Sequence, residues 1–214
     1  TGVFDFSDYA ASGEYEITGL FVEMASGERA NWSFADGEYT VTLVNPNQDI
    51  DGPTLESFDF YAVFDEDTQR PVLVVEGVAN DQLSGIDNVF VRIFGGQNTD
   101  YIGLDYPLDQ TVEVDRFDFR IEMPMLAEFL PGAYSLGTLS LYDRADNWSQ
   151  LDNQFLIDAG YTPTISVFYP VSEDIDEVFG SDSSDFVFGT DINSDTLIGA
   201  GGDDILYAGN GDDY

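Results

Sequence analysis

The chain has no cysteine, no histidine and no lysine. Without cysteine there are no disulfides, no thiol nucleophile and no thiolate metal ligands. Without histidine, serine-histidine catalysis and the usual zinc sets are excluded. The cations are six arginines, set against 42 aspartates and glutamates for a formal charge of −36. A chain so poor in positive charge cannot displace counterions from phosphate, which excludes nucleic acid and argues against an anionic membrane surface. No apolar run approaches the roughly 18 residues of a membrane span, so no membrane insertion is expected, and no signal peptide is recognisable. The metalloprotease HExxH, the phosphate-binding P-loop and the Gly-x-Ser-x-Gly elbow are missing too.

What is present suits a folded protein. Apolar residues make up 43%, with 17 Phe and 12 Tyr among 214 residues. That is too many for a disordered acidic tail and enough for a sizeable core. Such an acidic chain repels itself at neutral pH unless a cation binds. With oxygen as the only ligand type, Ca²⁺ is favoured over zinc or copper. Calcium can replace disulfides as the staple of a secreted protein, so the lack of cysteine does not argue for the cytoplasm. The start at Thr1, without Met, reads as a processed or partial chain.

The sequence repeats itself. Phe4-Asp5-Phe6 recurs as Phe117-Asp118-Phe119. "SGEYEITGLFVEMASGERANWS" (12–33) resembles "PGAYSLGTLSLYDRADNWS" (131–149), and "DGEYTVTLVNP" (36–46) resembles "DAGYTPTISVFYP" (158–170). Asp49-Ile50-Asp51 recurs as Asp174-Ile175-Asp176. Duplicated modules leave this signature. Residues 51–170 then form one whole unit, and residues 1–50 are either the back half of another or strands added to the second. Within 51–170 the pattern is all-β. Residues 58–65, 70–79, 88–95, 111–123 and 133–143 are rich in β-branched and aromatic side chains, several alternating with period two. Turn signals at 81–85, 95–98, 131–132 and 143–147 separate them. "MLAEFL" (125–130) is the one segment that reads as a helical turn. Short strands at this spacing predict an antiparallel β-sandwich.

"DQLSGIDNVFVRIF" and the late "DRADN" turn resemble the immunoglobulin-like modules arrayed in large bacterial surface proteins. The resemblance implies a complete sandwich at 51–170 and the C-terminal half of one at 1–50. Asp143, Asp146 and Asn147 make an oxygen-rich turn, read either as an Asx turn closing a hairpin or as a loop calcium site with Asp81 or Asp87. In the first copy, Glu28 and Ala30 would degrade such a site. Asn31-Trp32-Ser33 and Asn147-Trp148-Ser149 are formal glycosylation sequons. Their equivalent places in the repeat favour a structural role, each Trp packing in its sandwich.

From residue 171 the composition changes, with twelve acids and no base to residue 214. The last two clusters, 199–207 and 208–214, follow Gly-Gly-x-Gly-x-Asp-x-(large apolar)-x. The same phase, with one inserted residue, runs back through 189–198, 180–188 and 171–179. It puts aspartates at Asp176, Asp185, Asp195, Asp204 and Asp213. Glycines in such corners permit positive φ and aim carbonyls inward. This resembles the calcium-binding repeats of the RTX (repeats-in-toxin) family, which is exported by type I secretion. The resemblance implies a parallel β-roll at 171–214 in which each repeat is half a coil. Ca²⁺ would lie between repeats n and n+2, pairing Asp185 with Asp204, Asp195 with Asp213 and, more weakly, Asp176 with Asp195. Gly199, Gly201, Gly202, Gly209 and Gly211 would form the corners. Metal binding and folding would be coupled.

No acid pair stands out as catalytic. Asp65 and Glu66 read as a solvated hairpin tip rather than a glycosidase pair, and the chain is not expected to be an enzyme. The expectation is a secreted, calcium-binding structural or adhesive module at a bacterial surface. Its partners would be calcium, neighbouring modules and a cell-surface glycan or protein. Two alternatives remain: the non-catalytic end of an RTX exoenzyme, and a sugar- or peptide-binding sandwich using Tyr101 and Tyr106 beside Asp105.

Overall fold

The computed structural model describes residues 6–23, 26–68, 70–95, 98–107, 114–125, 130–170, 177–190 and 194–214, with backbone alone at 98–102 and 104. These residues are nearly all β, and they divide into two compact units, Thr1–Asp51 and Gly52–Tyr214.

In the first unit, β1 (Gly13–Glu16) pairs antiparallel with β4 (Thr40–Leu43), and β2 (Gly19–Glu23) with β3 (Arg29–Ser33).

The second unit is built on two facing layers. One is the antiparallel sheet β5 (Thr54–Asp65), β6 (Arg70–Asn80), β9 (Arg116–Pro124), in that order. The other is a seven-stranded sheet. Its antiparallel part runs β8 (Asn98–Pro107), β7 (Ile86–Gly95), β10 (Gly132–Asp143), β12 (Thr164–Phe168), with β11 (Trp148–Asp152) also on β10. Beyond β12 it continues in parallel through β14 (Asp185–Phe188) and β16 (Ile205–Tyr207). A separate parallel pair joins β13 (Glu177–Phe179) to β15 (Thr196–Ile198).

Alternation builds the core. Phe58, Phe60 and Ala62 of β5, Phe119, Ile121 and Met123 of β9, and Val89, Val91 and Ile93 of β7 are buried in one cluster. Between them on β9, Arg120 and Glu122 point outward and pair with each other. Each large apolar side chain so buried stabilises by about 1.5–3 kcal/mol. On β10 the parity changes between Leu136 and Leu139, both buried. A register shift between Leu136 and Thr138 leaves Gly137 as the extra residue. A Cβ there would lie 2.1 Å from the Phe94 ring, so only glycine fits.

The expected strand over 111–123 is β9, which starts at Arg116; residues 111–113 lie outside the described ones, as do 126–129 of the expected helical turn. The helix the structure contains is α1 (Asn153–Asp158). It is capped by Asp152, which accepts the Phe155 N–H at 2.8 Å, and it ends at Gly160 with φ of 90°. Strand β8 was not expected. Neither tryptophan packs in a core: Trp32 is 50% and Trp148 55% exposed. The sequons are also not equivalent in the ladder, since Trp32 pairs with Leu20 and Trp148 with Tyr142. Both hairpins leave five residues between their last paired positions, but Trp32 lies three residues beyond that point and Trp148 at it.

The repeat itself is visible in the ladders. Gly13↔Leu43, Tyr15↔Val41 and Glu16↔Thr40 repeat as Gly132↔Val167, Tyr134↔Ile165 and Ser135↔Thr164. In both copies the tyrosine hydroxyl donates to a carbonyl four residues back: Tyr15 to Ala11 at 2.6 Å and Tyr134 to Leu130 at 2.5 Å. Burial, with a further push from Tyr169, holds the Tyr134 phenol well above the ordinary tyrosine range. Its stabilising contribution is therefore complete below about pH 10 and is lost as the pH rises toward the folded-state value. Tyr134→Phe is expected to cost about 1–2 kcal/mol in a neutral denaturant melt. It should also flatten part of the stability loss above about pH 10.

Candidate metal centre

The parallel strands come from consecutive short repeats that alternate sides. β14 stacks on β16 and β13 on β15, with Phe186↔Ile205 and Val178↔Leu197 in register. Repeat n therefore lies against repeat n+2. Val178, Val187 and Leu197 are buried between the two stacks, with Phe168 and Ala208 packed on them. Leu206, the equivalent apolar residue of the next repeat, is about half exposed.

At the corners, backbone conformation follows the glycine pattern. Gly202, Gly209 and Gly211 have positive φ, and so does Ala200, which occupies a glycine position of the repeat at φ 73°. The Gly201 N–H donates to the Ser181 carbonyl in the stacked corner at 3.1 Å. The glycines also give the aspartates room. A Cβ on Gly199 would lie 2.2 Å from Asp204 Oδ2, and one on Gly180 would lie 2.7 Å from Asp185 Oδ2 and 2.6 Å from the Gly199 carbonyl. One on Gly189 would lie 2.7 Å from Asp195 Oδ2 and 2.6 Å from the Ala208 carbonyl. Gly180 and Gly189 were not among the expected site residues, although both open a repeat in the sequence. The Gly180 and Gly189 corners thus each bring a carboxylate and a backbone carbonyl to one spot.

The aspartates meet in pairs. The Asp185 N–H donates to Asp204 Oδ1 at 3.0 Å, and the Asp195 N–H to Asp213 Oδ1 at 2.9 Å. Asp176 lies outside the described residues. Asp185 and Asp195 are both buried. Asp185 accepts from the Ser181 N–H and from its hydroxyl. Asp195 Oδ2 accepts from the Thr190 N–H at 2.6 Å and its hydroxyl at 3.1 Å. Ser181 and Thr190 each follow the first glycine of a repeat, a signal the sequence reading passed over. Among the described residues, Asp195 Oδ1 is buried with no hydrogen-bond partner. A buried carboxylate oxygen left unsatisfied is costly. The acceptor atoms gathered there are carboxylate and carbonyl oxygens, the ligand type a hard divalent cation takes. The residues present fit calcium.

The loop aspartates have a different environment. Asp81 Oδ1 accepts the N–H groups of Leu83, Ser84 and Gly85, and Asp143 Oδ1 those of Ala145 and Asn147. Both are buried, and each brings a carboxylate oxygen within 4.8 Å of the other's. Asp49 Oδ1 accepts the Asp51 N–H at 3.2 Å in the first unit; Asp174 and Asp176 lie outside the described residues. At the β5–β6 tip, Asp65 accepts the Thr68 hydroxyl and the Asp67 amide, while Glu66 accepts a long bond from Tyr207 of β16. Tyr106 and Asp105 are adjacent on β8, so they face opposite sides of the sheet. Tyr106 lies against Phe117, and the Tyr101 side chain is outside the description. Among the described residues no helix is long and apolar enough to cross a membrane.

The chain matches no family model and no curated protein. Glycine substitutions test the corner geometry. Gly199→Ala should displace the Asp204 carboxylate, whose Cβ is itself 2.9 Å from the added methyl. Gly201→Ala meets nothing closer than 3.4 Å and should behave like the parent chain. Thermal melts with and without calcium should show the first variant losing most of its calcium response and the second keeping it.

Proposed function

We propose that this chain is a calcium-binding structural or adhesive module of an extracellular bacterial protein, in which an immunoglobulin-like sandwich leads into an RTX-type β-roll. The observation that carries the reading is Asp195 Oδ1, buried without a hydrogen-bond partner among the described residues, in a corner that also holds the Asp213 carboxylate and the Ala208 carbonyl. A divalent ion held by Asp195, Asp213 and the Ala208 carbonyl, and another by Asp185, Asp204 and the Gly199 carbonyl, would supply the missing positive charge. The stacking of repeat n on n+2 supports the roll. The strand orders β5-β6-β9 and β12-β10-β7-β8 support the sandwich, because they correspond to A-B-E and G-F-C-C′ of the immunoglobulin plan. So does Tyr134, which sits where that plan has its tyrosine corner.

The role follows from the energetics. Where calcium is scarce, the stack has a small apolar core and many like charges, so it stays open. Where calcium is abundant, binding energy becomes folding energy, about 2.7 kcal/mol per site at a hundredfold excess over Kd. A module that stiffens on export suits a stalk or adhesive array, with calcium and neighbouring modules as its partners and no catalytic role.

The full chain should melt at a higher temperature in millimolar calcium than in excess EGTA. Asp195→Asn should narrow that gap while raising stability in EGTA, because the unsatisfied charge is gone. Identical melts in calcium and EGTA would sink the reading.

A further inference from the structure

The outer face of the seven-stranded sheet carries a cleft that calcium does not use. Ladder pairing lays its side chains out as a grid across three strands. Phe90, Ser140 and Gln150 form one row, Arg92 and Thr138 lie beside it, and Tyr142 stands opposite Trp148 on the other side. Their sequence neighbours Val89, Val91, Leu139, Leu141 and Leu151 are in the core, so the grid faces away from it. The small Thr138 and Ser140 of the central strand make the floor. Larger side chains rise from β7 on one side and β11 on the other, enclosing about 390 Å³, within the range of small-molecule sites.

The lining departs from the rest of the molecule in charge. The chain has 42 acids, yet none lines this cleft, and its one charged member is Arg92. The acids nearest by pairing are engaged elsewhere. Asp105, opposite Phe90, accepts the Asn88 amide at 2.9 Å, and Asp152, opposite Thr138, caps α1. The exposed Trp148 ring lies nearly parallel to Tyr142, with centroids 6.5 Å apart and an interplanar angle of 20°. The exposed Trp148 ring, backed by Tyr142, thus offers an aromatic face at the end of a trough of hydroxyls and an amide.

We propose that this cleft binds an oligosaccharide through a pyranose ring. A sugar ring has an apolar C–H face and a rim of hydroxyls. The Trp148 ring matches the face, while Ser140, Thr138 and Gln150 can both donate to and accept from the rim. Arg92 adds donors only. A purely apolar ligand would bury those polar groups without partners. An extended peptide recognised by strand addition needs a free sheet edge, and this is a face. The inference is independent of the calcium reading.

The test begins with the full chain, in calcium, on an array of hexose oligosaccharides. The best binder is then titrated while Trp148 fluorescence is followed in a Trp32→Phe background, these being the two tryptophans. A saturable change is expected. Trp148→Ala should weaken binding at least tenfold and Gln150→Ala several-fold, with melts unchanged from the parent. Silence across the array, or binding that survives both substitutions, would overturn the proposal.

Discussion

Repulsion among carboxylates is the constraint around which this chain is organised. Six arginines cannot neutralise 42 acids. The ion pairs on Arg29, Arg116 and Arg120 are all at exposed positions where each pair contributes little. Backbone N–H groups do most of the ordering. Asp81 takes three of them and Asp143 two, Asp152 caps a helix, and Asp65 closes a hairpin. The Thr68 hydroxyl, then backbone amides, hold the Asp65 carboxyl below its usual range. Hydrogen bonding to the charged form is what makes such placements tolerable. In the parallel stack that supply is shorter, because the amides are committed to the ladders and to neighbouring corners. Asp195 Oδ1 is what remains. The fold thus separates carboxylates whose oxygens it satisfies from one buried oxygen that requires a partner.

Strand β12 carries that requirement into the rest of its unit. It pairs antiparallel with β10 and parallel with β14, so one strand belongs to both arrangements. Successive residues face opposite ways: Val167 enters the main core and Phe168 the small one. The same division recurs one strand on, where Phe186 and Phe188 pack toward the main core and Val187 into the small one. Phe64, near the β5–β6 tip, stacks with both Phe188 and Tyr207. A parallel stack is slow and costly to nucleate, because its contacts close long loops. Here an already hydrogen-bonded strand provides the first rung. An ion bound in the stack, as proposed, would therefore act on the stability of the whole Gly52–Tyr214 unit.

Much of this arrangement was legible in the sequence, for identifiable reasons. Period-two alternation marked β5, β7 and β10 because each has one face on the core, whereas β6 was marked by its β-branched run, with Val72 to Val75 all buried. The phase of aspartates and apolar residues at 180–214 marked the stacked corners, because each repeat is a local unit with its own glycine geometry. Strand β8 escaped notice because its polar residues and Gly103 lack a clear alternation. Helix α1 escaped too, although Asp152 and Gly160 bracket it, because its six residues are too few for a helical period to register. The tryptophans misled because sequence similarity aligned their motifs, whereas the first copy places its motif three residues farther along the returning strand. The outer cleft was invisible because its rows are assembled from β7, β10 and β11, and no single segment contains them.

The two copies of the repeat separate what a short segment specifies from what it does not. Their ladders agree residue for residue where β1 meets β4 and β10 meets β12, and both tie a tyrosine hydroxyl to the carbonyl four residues back. Pairing of this kind is decided by turns, alternation and one hydrogen bond, all within the segment. Burial is not. Leu139 of β10 is fully buried, whereas Leu20, in the corresponding strand of the first unit, is 48% exposed. The difference lies in the β5-β6-β9 layer, which supplies the opposite wall of the core in the second unit. A repeated sequence transmits register faithfully because register is local. Hydrophobic stabilisation depends on area withdrawn from water, and it arises only where a second layer covers the face.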